Sequence, residues 1–84
     1  MDRAALTATV FDVIRSHAAG FAGDLRLDTP LGPDGVGIDS IACLGIVLEL
    51  ERRTGIQVRD ESLTAEALAT PGSLVAYLEQ SGGG

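Results

Sequence analysis

The chain has 84 residues, six basic and twelve acidic, giving a net charge of −6, and 45% of its residues are apolar. That length accommodates one small domain and no second one. The charge excludes nucleic acid as a partner, since binding a polyanion needs a basic surface. Tryptophan is absent and only Phe11, Phe21 and Tyr77 are aromatic, so the core must be aliphatic. The single cysteine, Cys43, has no partner for an internal disulfide, and neither a signal peptide nor an apolar run of membrane length is present. A soluble, monomeric cytoplasmic protein is expected, with residues 1–80 as its one domain and 81–84 as a flexible glycine-rich tail.

Residues 2–19 place Leu6, Val10, Val13 and Ile14 at the recurrence of an amphipathic helix. Gly20 is positioned to end it in the left-handed conformation, with Phe21 folding back on the last turn. His17, the only histidine, sits near the helix end and receives no catalytic role. Residues 21–39 read as a long loop rich in turn chemistry, with Phe21, Leu25, Leu27, Leu31, Val36 and Ile38 available to pin it. Ser40 to Thr54 is helical by length and pattern, with Asp39 or Ser40 at its cap and Gly55 as its stop. Cys43, Ile46, Val47 and Leu50 fall on one face of it, and Ile41, Leu44 and Leu48 fall nearly opposite. A second apolar stripe in so small a domain is either covered or exposed for docking. Ile56-Gln57-Val58 suggests a brief extended stretch, and residues 60–69 a short helix with Leu63 and Leu68 inward. Thr70-Pro71 starts a last helix running to about Gln80. The expected fold is all-α: a small four-helix bundle of three main helices and a short third one, with a long loop between helices 1 and 2.

Four aspartates stand against Arg26 in residues 21–39, so acidity gathers just ahead of Ser40 and favours a basic partner surface there. Asp39-Ser40 before an apolar helix is by itself only an N-cap signal. A self-activated serine needs a base and an oxyanion site; with one histidine, no lysine and no G-x-S-x-G elbow, hydrolase chemistry is rejected. No metal-ligand set exists, although Asp39 can lend one carboxylate to a magnesium ion completed by another protein. What remains is a serine that is acted upon. A phosphodiester there would sit at a helix N-terminus, where free N–H groups favour negative charge. Gly35 and Gly37 would let a partner's active site approach the backbone.

Gly37-Ile38-Asp39-Ser40-Ile41, the helix with Leu44, Val47, Leu48 and Leu50-Glu51, and then Gly55-Ile56 together resemble the acyl carrier protein family, over nearly the whole chain. The resemblance implies a non-enzymatic carrier. A phosphopantetheinyl transferase would transfer 4′-phosphopantetheine from coenzyme A to Ser40, with Asp39 as the motif acid assisting the magnesium-dependent step. The arm would then carry thioesters from an acyl-loading enzyme to downstream acyl-accepting enzymes. It further implies that Ile41, Leu44 and Leu48 dock partners and that Cys43, Ile46, Val47 and Leu50 face the core. One departure stands out: positions where fatty-acid carriers place carboxylates are Ala42 and Gly45 here. That points to a polyketide or related specialised pathway and to docking by shape and apolar contact. An aminoacyl or peptidyl carrier is the near alternative, although residues 35–39 break the glycine-glycine-[HD]-Ser pattern usual there. A small helical interaction module without a prosthetic group is the rival from another class.

Overall fold

A computed structural model describes residues 2–18, 20, 21, 23–32, 34–58 and 66–82. Three helices occur among them: α1, Arg3–His17; α2, Ser40–Thr54; and α3, Pro71–Gly82. The described residues contain no strand, and Ile56-Gln57-Val58 is irregular, with Ile56 and Val58 half-buried against the core. The short helix expected over 60–69 falls mostly outside the described residues; 66–70 form turns and bends.

The aliphatic pattern builds the core as expected. Leu6, Val10, Val13 and Ile14 of α1 are buried, as are Ile46, Val47 and Leu50 of α2 and Leu74, Val75 and Leu78 of α3. α1 is the element against which both other helices pack. Asp12 meets Arg53 and His17 meets Glu49, so α2 runs antiparallel to α1. Arg3 pairs with Glu79, so α3 is antiparallel to α1 as well. Exposed pairs of this kind contribute little to stability.

The caps explain the boundaries. The Asp2 carboxylate accepts from the Ala5 N–H at 2.7 Å and starts α1. Its end departs from expectation: the cap is Ala18, at φ −130° and ψ 50°, rather than a left-handed Gly20. The Phe21 N–H then bonds the Ala18 carbonyl at 3.0 Å, so the chain turns back by a hydrogen-bonded turn. Gly55 does close α2 in the left-handed conformation, φ 72°. Thr70 caps α3 reciprocally with Ser73: each side-chain oxygen accepts from the other residue's N–H, at 3.0 and 3.1 Å. α3 then continues two residues past Gln80, to Gly82.

Of the expected loop pins, Leu25 and Leu31 are buried, and Phe21, Val36 and Ile38 pack partly buried against the core. Leu27 is a correction: its side chain is 43% exposed. Its backbone does the pinning instead, because the Leu27 carbonyl accepts from the Gly72 N–H at 2.8 Å. A Cβ on Gly72 would stand 2.9 Å from that oxygen, so only glycine allows this contact at unstrained geometry. The Leu31 N–H reaches the Ala69 carbonyl at 2.9 Å, and the loop is thereby stitched to the start of α3 at two points.

Candidate functional site

The approach to α2 is a closely bonded turn. The Gly35 and Gly37 N–H groups both reach the Gly32 carbonyl, at 3.0 and 2.8 Å. The Val36 N–H donates to the Pro30 carbonyl and the Ile38 N–H to the Leu31 carbonyl, each at 2.9 Å. Gly37 is left-handed, φ 81°. A Cβ on Gly35 would fall 2.0 Å from the Pro30 oxygen. Gly35 thus serves the loop's own packing rather than making room for a partner, while Gly37 supplies the left-handed turn and has open space around it. Their effect is to deliver Ile38, half-buried, and Asp39, exposed, to the start of α2.

Asp39, rather than Ser40, is the cap: its carboxylate accepts from the Ala42 N–H at 2.8 Å, and Ser40 is the first helical residue. The negative charge of Asp39 also reaches Cys43. Burial, with Asp39 second, pushes the Cys43 thiol above its ordinary value. A thiol held in its protonated form is a poor nucleophile; Cys43, expected on the core face with Ile46, Val47 and Leu50, is half-buried and is not among the buried core residues.

Around α2 the side chains divide into three faces. Ile46, Val47 and Leu50 enter the core. Ile41, Leu44 and Leu48 are 83, 58 and 56% exposed, so nothing in the described chain covers that stripe. Ala42, Gly45 and Glu49 share the third face, which meets the end of α1. His17 sits over Gly45, where a Cβ would lie 3.0 Å from the ring's Cε1. The ring's Nε2 is 3.0 Å from the Glu49 carboxylate. Arg53 bonds the other Glu49 oxygen at 2.7 Å and Asp12 at 2.6 Å. Sequence reasoning missed this arrangement. Its available signal was a helix-breaking glycine inside α2 together with a lone histidine at the end of α1.

The hydrogen bond with His17, followed by Arg53, holds the Glu49 carboxyl below its ordinary value of 4.5, outweighing the partial burial that acts the other way. A lowered carboxyl stabilises the fold above the ordinary value and loses that contribution as pH falls through the folded one. Glu49→Gln is therefore expected to melt below the wild type at neutral pH, with the two melting curves converging under acid conditions. Circular dichroism melts across that range measure the difference, and a gap independent of pH would refute the ionic clamp.

Beside this face a cleft of about 460 Å³ opens, lined by His17, Ala18, Phe21, Val36, Asp39 and Ala42 among others. A smaller cavity of about 210 Å³ shares Ala18, Phe21, Gly23 and Val36 with it and reaches Ile14 and Leu25. Among the described residues no group of three or more His, Cys, Asp or Glu side chains is placed to hold a metal ion. No described helix is long and apolar enough to cross a membrane.

Comparison with known proteins decides the family. Residues 12–78 match the phosphopantetheine attachment site family. The chain belongs to the acyl carrier protein family. A probable acyl carrier protein of Streptomyces halstedii is 40% identical over 55 residues, 66% of this chain and 56% of the relative. An acyl carrier protein of Exiguobacterium sp. (strain ATCC BAA-1283 / AT1b) is 44% identical over 46 residues, 55% of this chain and 56% of the relative. The matches thus span just over half the length of each relative. Family membership brings a covalently attached 4′-phosphopantetheine, which sets aside the interaction module without a prosthetic group. The carrier is not an enzyme. The residues present fit such a group: a surface helix start, held by the exposed Asp39, lies next to a cleft within the size range of small-molecule sites.

Proposed function

We propose that this chain is an acyl carrier protein of a polyketide or related specialised pathway, working in the cytoplasm and bearing its phosphopantetheine on Ser40. The observation that carries the reading is the loop of residues 30–39, which spends its glycines and backbone bonds on presenting Asp39-Ser40 at the head of α2. When attached, the group supplies a flexible arm whose thiol holds acyl cargo as a thioester. The chain's own residues position the root of that arm and present a surface to the enzymes that load and unload it. The partners are a phosphopantetheinyl transferase using coenzyme A, an acyl-loading enzyme and downstream acceptors. Ile41, Leu44 and Leu48 form the docking stripe. Residues 1–80 act as one domain.

The specialised-pathway reading is supported by the state of the carboxylates on α2. Glu49 is engaged by His17 and Arg53, and Glu51 accepts from the Val58 N–H at 3.0 Å. The exposed stripe is left apolar, so docking by shape should show weak salt sensitivity. Intact-mass measurement after incubation with coenzyme A, magnesium and a broad-specificity transferase tests the assignment. One phosphopantetheinyl increment is expected, and its absence refutes it.

Asp39 carries two roles that substitution separates. Asp39→Asn keeps an oxygen for the Ala42 N–H and removes the charge, so the fold should persist while loading slows. Asp39→Ala also loses the cap, at a cost of about 1 kcal/mol. Loading of the Asn variant at the wild-type rate would leave Asp39 a cap and nothing more.

A further inference from the structure

We infer that Arg52 is a specificity-determining residue for docking, and that the partner enzyme seated on α2 offers an apolar groove ending in a carboxylate that pairs with it. The inference rests on the docking reading of Ile41, Leu44 and Leu48. Arg52 follows Leu48 by four residues and Leu44 by eight, so it continues their stripe into the last turn of α2. Its side chain is 77% exposed. The neighbouring Arg53 is engaged, by Asp12 at 2.6 Å and by Glu49 at 2.7 Å. Among the described residues Arg52 has only a 4.0 Å approach to Glu49, a carboxylate that already holds His17 and Arg53. One arginine of the pair ties α2 to α1, and the other faces outward at the end of the stripe.

The charges along the stripe have a direction. Asp39 is exposed at the head of α2, and Asp34 is exposed in the loop before it. The carboxylates of α2 itself are engaged inside the molecule, Glu49 by His17 and Arg53 and Glu51 by the Val58 N–H. The stripe therefore runs from an anion, across three exposed apolar side chains, to a cation about 20 Å further on. A guanidinium holds a carboxylate through two parallel N–H donors, which makes it exacting about where that group stands. The matching enzyme surface is basic over the head, apolar in the middle and acidic at the tail. Turned end for end, the same surface would set like charges together at both ends, so the two charges fix one docking direction. A single ion pair at one rim leaves most of the contact apolar, in keeping with weak salt sensitivity.

The test uses a property of the sequence: the chain contains no lysine. Arg52→Lys therefore introduces its one side-chain amine, which a carbodiimide couples without a spacer to a carboxylate in contact with it. The phosphopantetheinylated variant is treated in an extract of the cells that make the chain. A cross-link is expected from position 52 to an Asp or Glu of an acyl-transferring enzyme, mapped by mass spectrometry, and adding Leu48→Asp should abolish it. With that enzyme purified, Arg52→Gln should raise its KM for the carrier several-fold and Arg52→Glu further, at unchanged kcat. Both variants should melt with the wild type. Cross-links confined to this chain's own carboxylates, or a KM that Arg52→Glu leaves unchanged or lowers, would overturn the proposal. A photo-cross-linker at position 44 separates two failures. Capture of an acyl-transferring enzyme from 44 and none from 52 keeps the docking stripe and removes the partner of Arg52. Capture from neither position removes the docking reading as well.

Discussion

Ser40→Ala is expected to stay at its unmodified mass under conditions that convert the wild type completely, the largest functional effect of any single change in this chain. On the proposed attachment the Ser40 hydroxyl is the atom acted upon, while the fold around it depends on other groups. Asp39 supplies the α2 cap, so position 40 is the first helical residue and alanine suits it better than serine does. The variant should match the wild type in helical signal and melting temperature. A phosphopantetheinyl increment on Ser40→Ala would refute attachment at Ser40. Leu48→Asp in the same assay separates attachment from docking. Its side chain is 56% exposed, so the fold should tolerate a charge there; loading should be slower and still run to completion.

Gly35→Ala is expected to be the most destabilising small change in the loop. The methyl would meet the Pro30 carbonyl oxygen at 2.0 Å, and that oxygen is backbone, held by the Val36 N–H. Relief requires moving the whole turn, and overpacking of this kind costs about 1–3 kcal/mol. A domain of this length has about 4–13 kcal/mol of stability in total. Each kcal/mol lowers the melting temperature by about 4–8 °C at this size. Gly32→Ala is the control, since a Cβ there meets nothing within 4 Å; its melting temperature should be unchanged or slightly raised. Equal effects from the two substitutions would show that the Pro30 contact does not constrain the loop. Because the same turn delivers Asp39 to α2, Gly35→Ala should also slow loading.

The helices were legible in the sequence wherever a single element decides its own form. The spacing of Leu6, Val10, Val13 and Ile14, the Gly55 stop and the Thr70-Pro71 start each act within one turn, and each appears where the pattern placed it. The exposed stripe of Ile41, Leu44 and Leu48 was legible because a short chain has too little left to cover it. What was not legible depends on distant partners. Leu27 looked like a pin by its side chain, yet its carbonyl is what α3 uses. Gly35 looked like an opening for another protein, and the loop's own backbone occupies that space, while the space at Gly37 is open. Ala42 and Gly45 looked like acidic positions lost from a docking face. Gly45 lies instead on the side of α2 that meets His17, so its small size is set inside the molecule, and Ala42 lines the cleft beside it. The cap of α1 failed for a local reason: Gly20 had the right chemistry, and the hydrogen-bonded turn from Ala18 to Phe21 ended the helix first.

The pairing of Arg3 with Glu79 brings the first turn of α1 beside the last turns of α3. The head of α2 lies past the other end of α1, next to Ala18. The two ends of the helical body therefore leave it on one side, while the proposed attachment region occupies the opposite pole, about 22 Å away along the fifteen residues of α1. A tether, tag or neighbouring module joined at either end would swing the domain like a lever whose far tip carries the cargo. Small rotations at the tether would then translate into long sweeps of the thioester, with no part of the tether passing near the enzymes it visits.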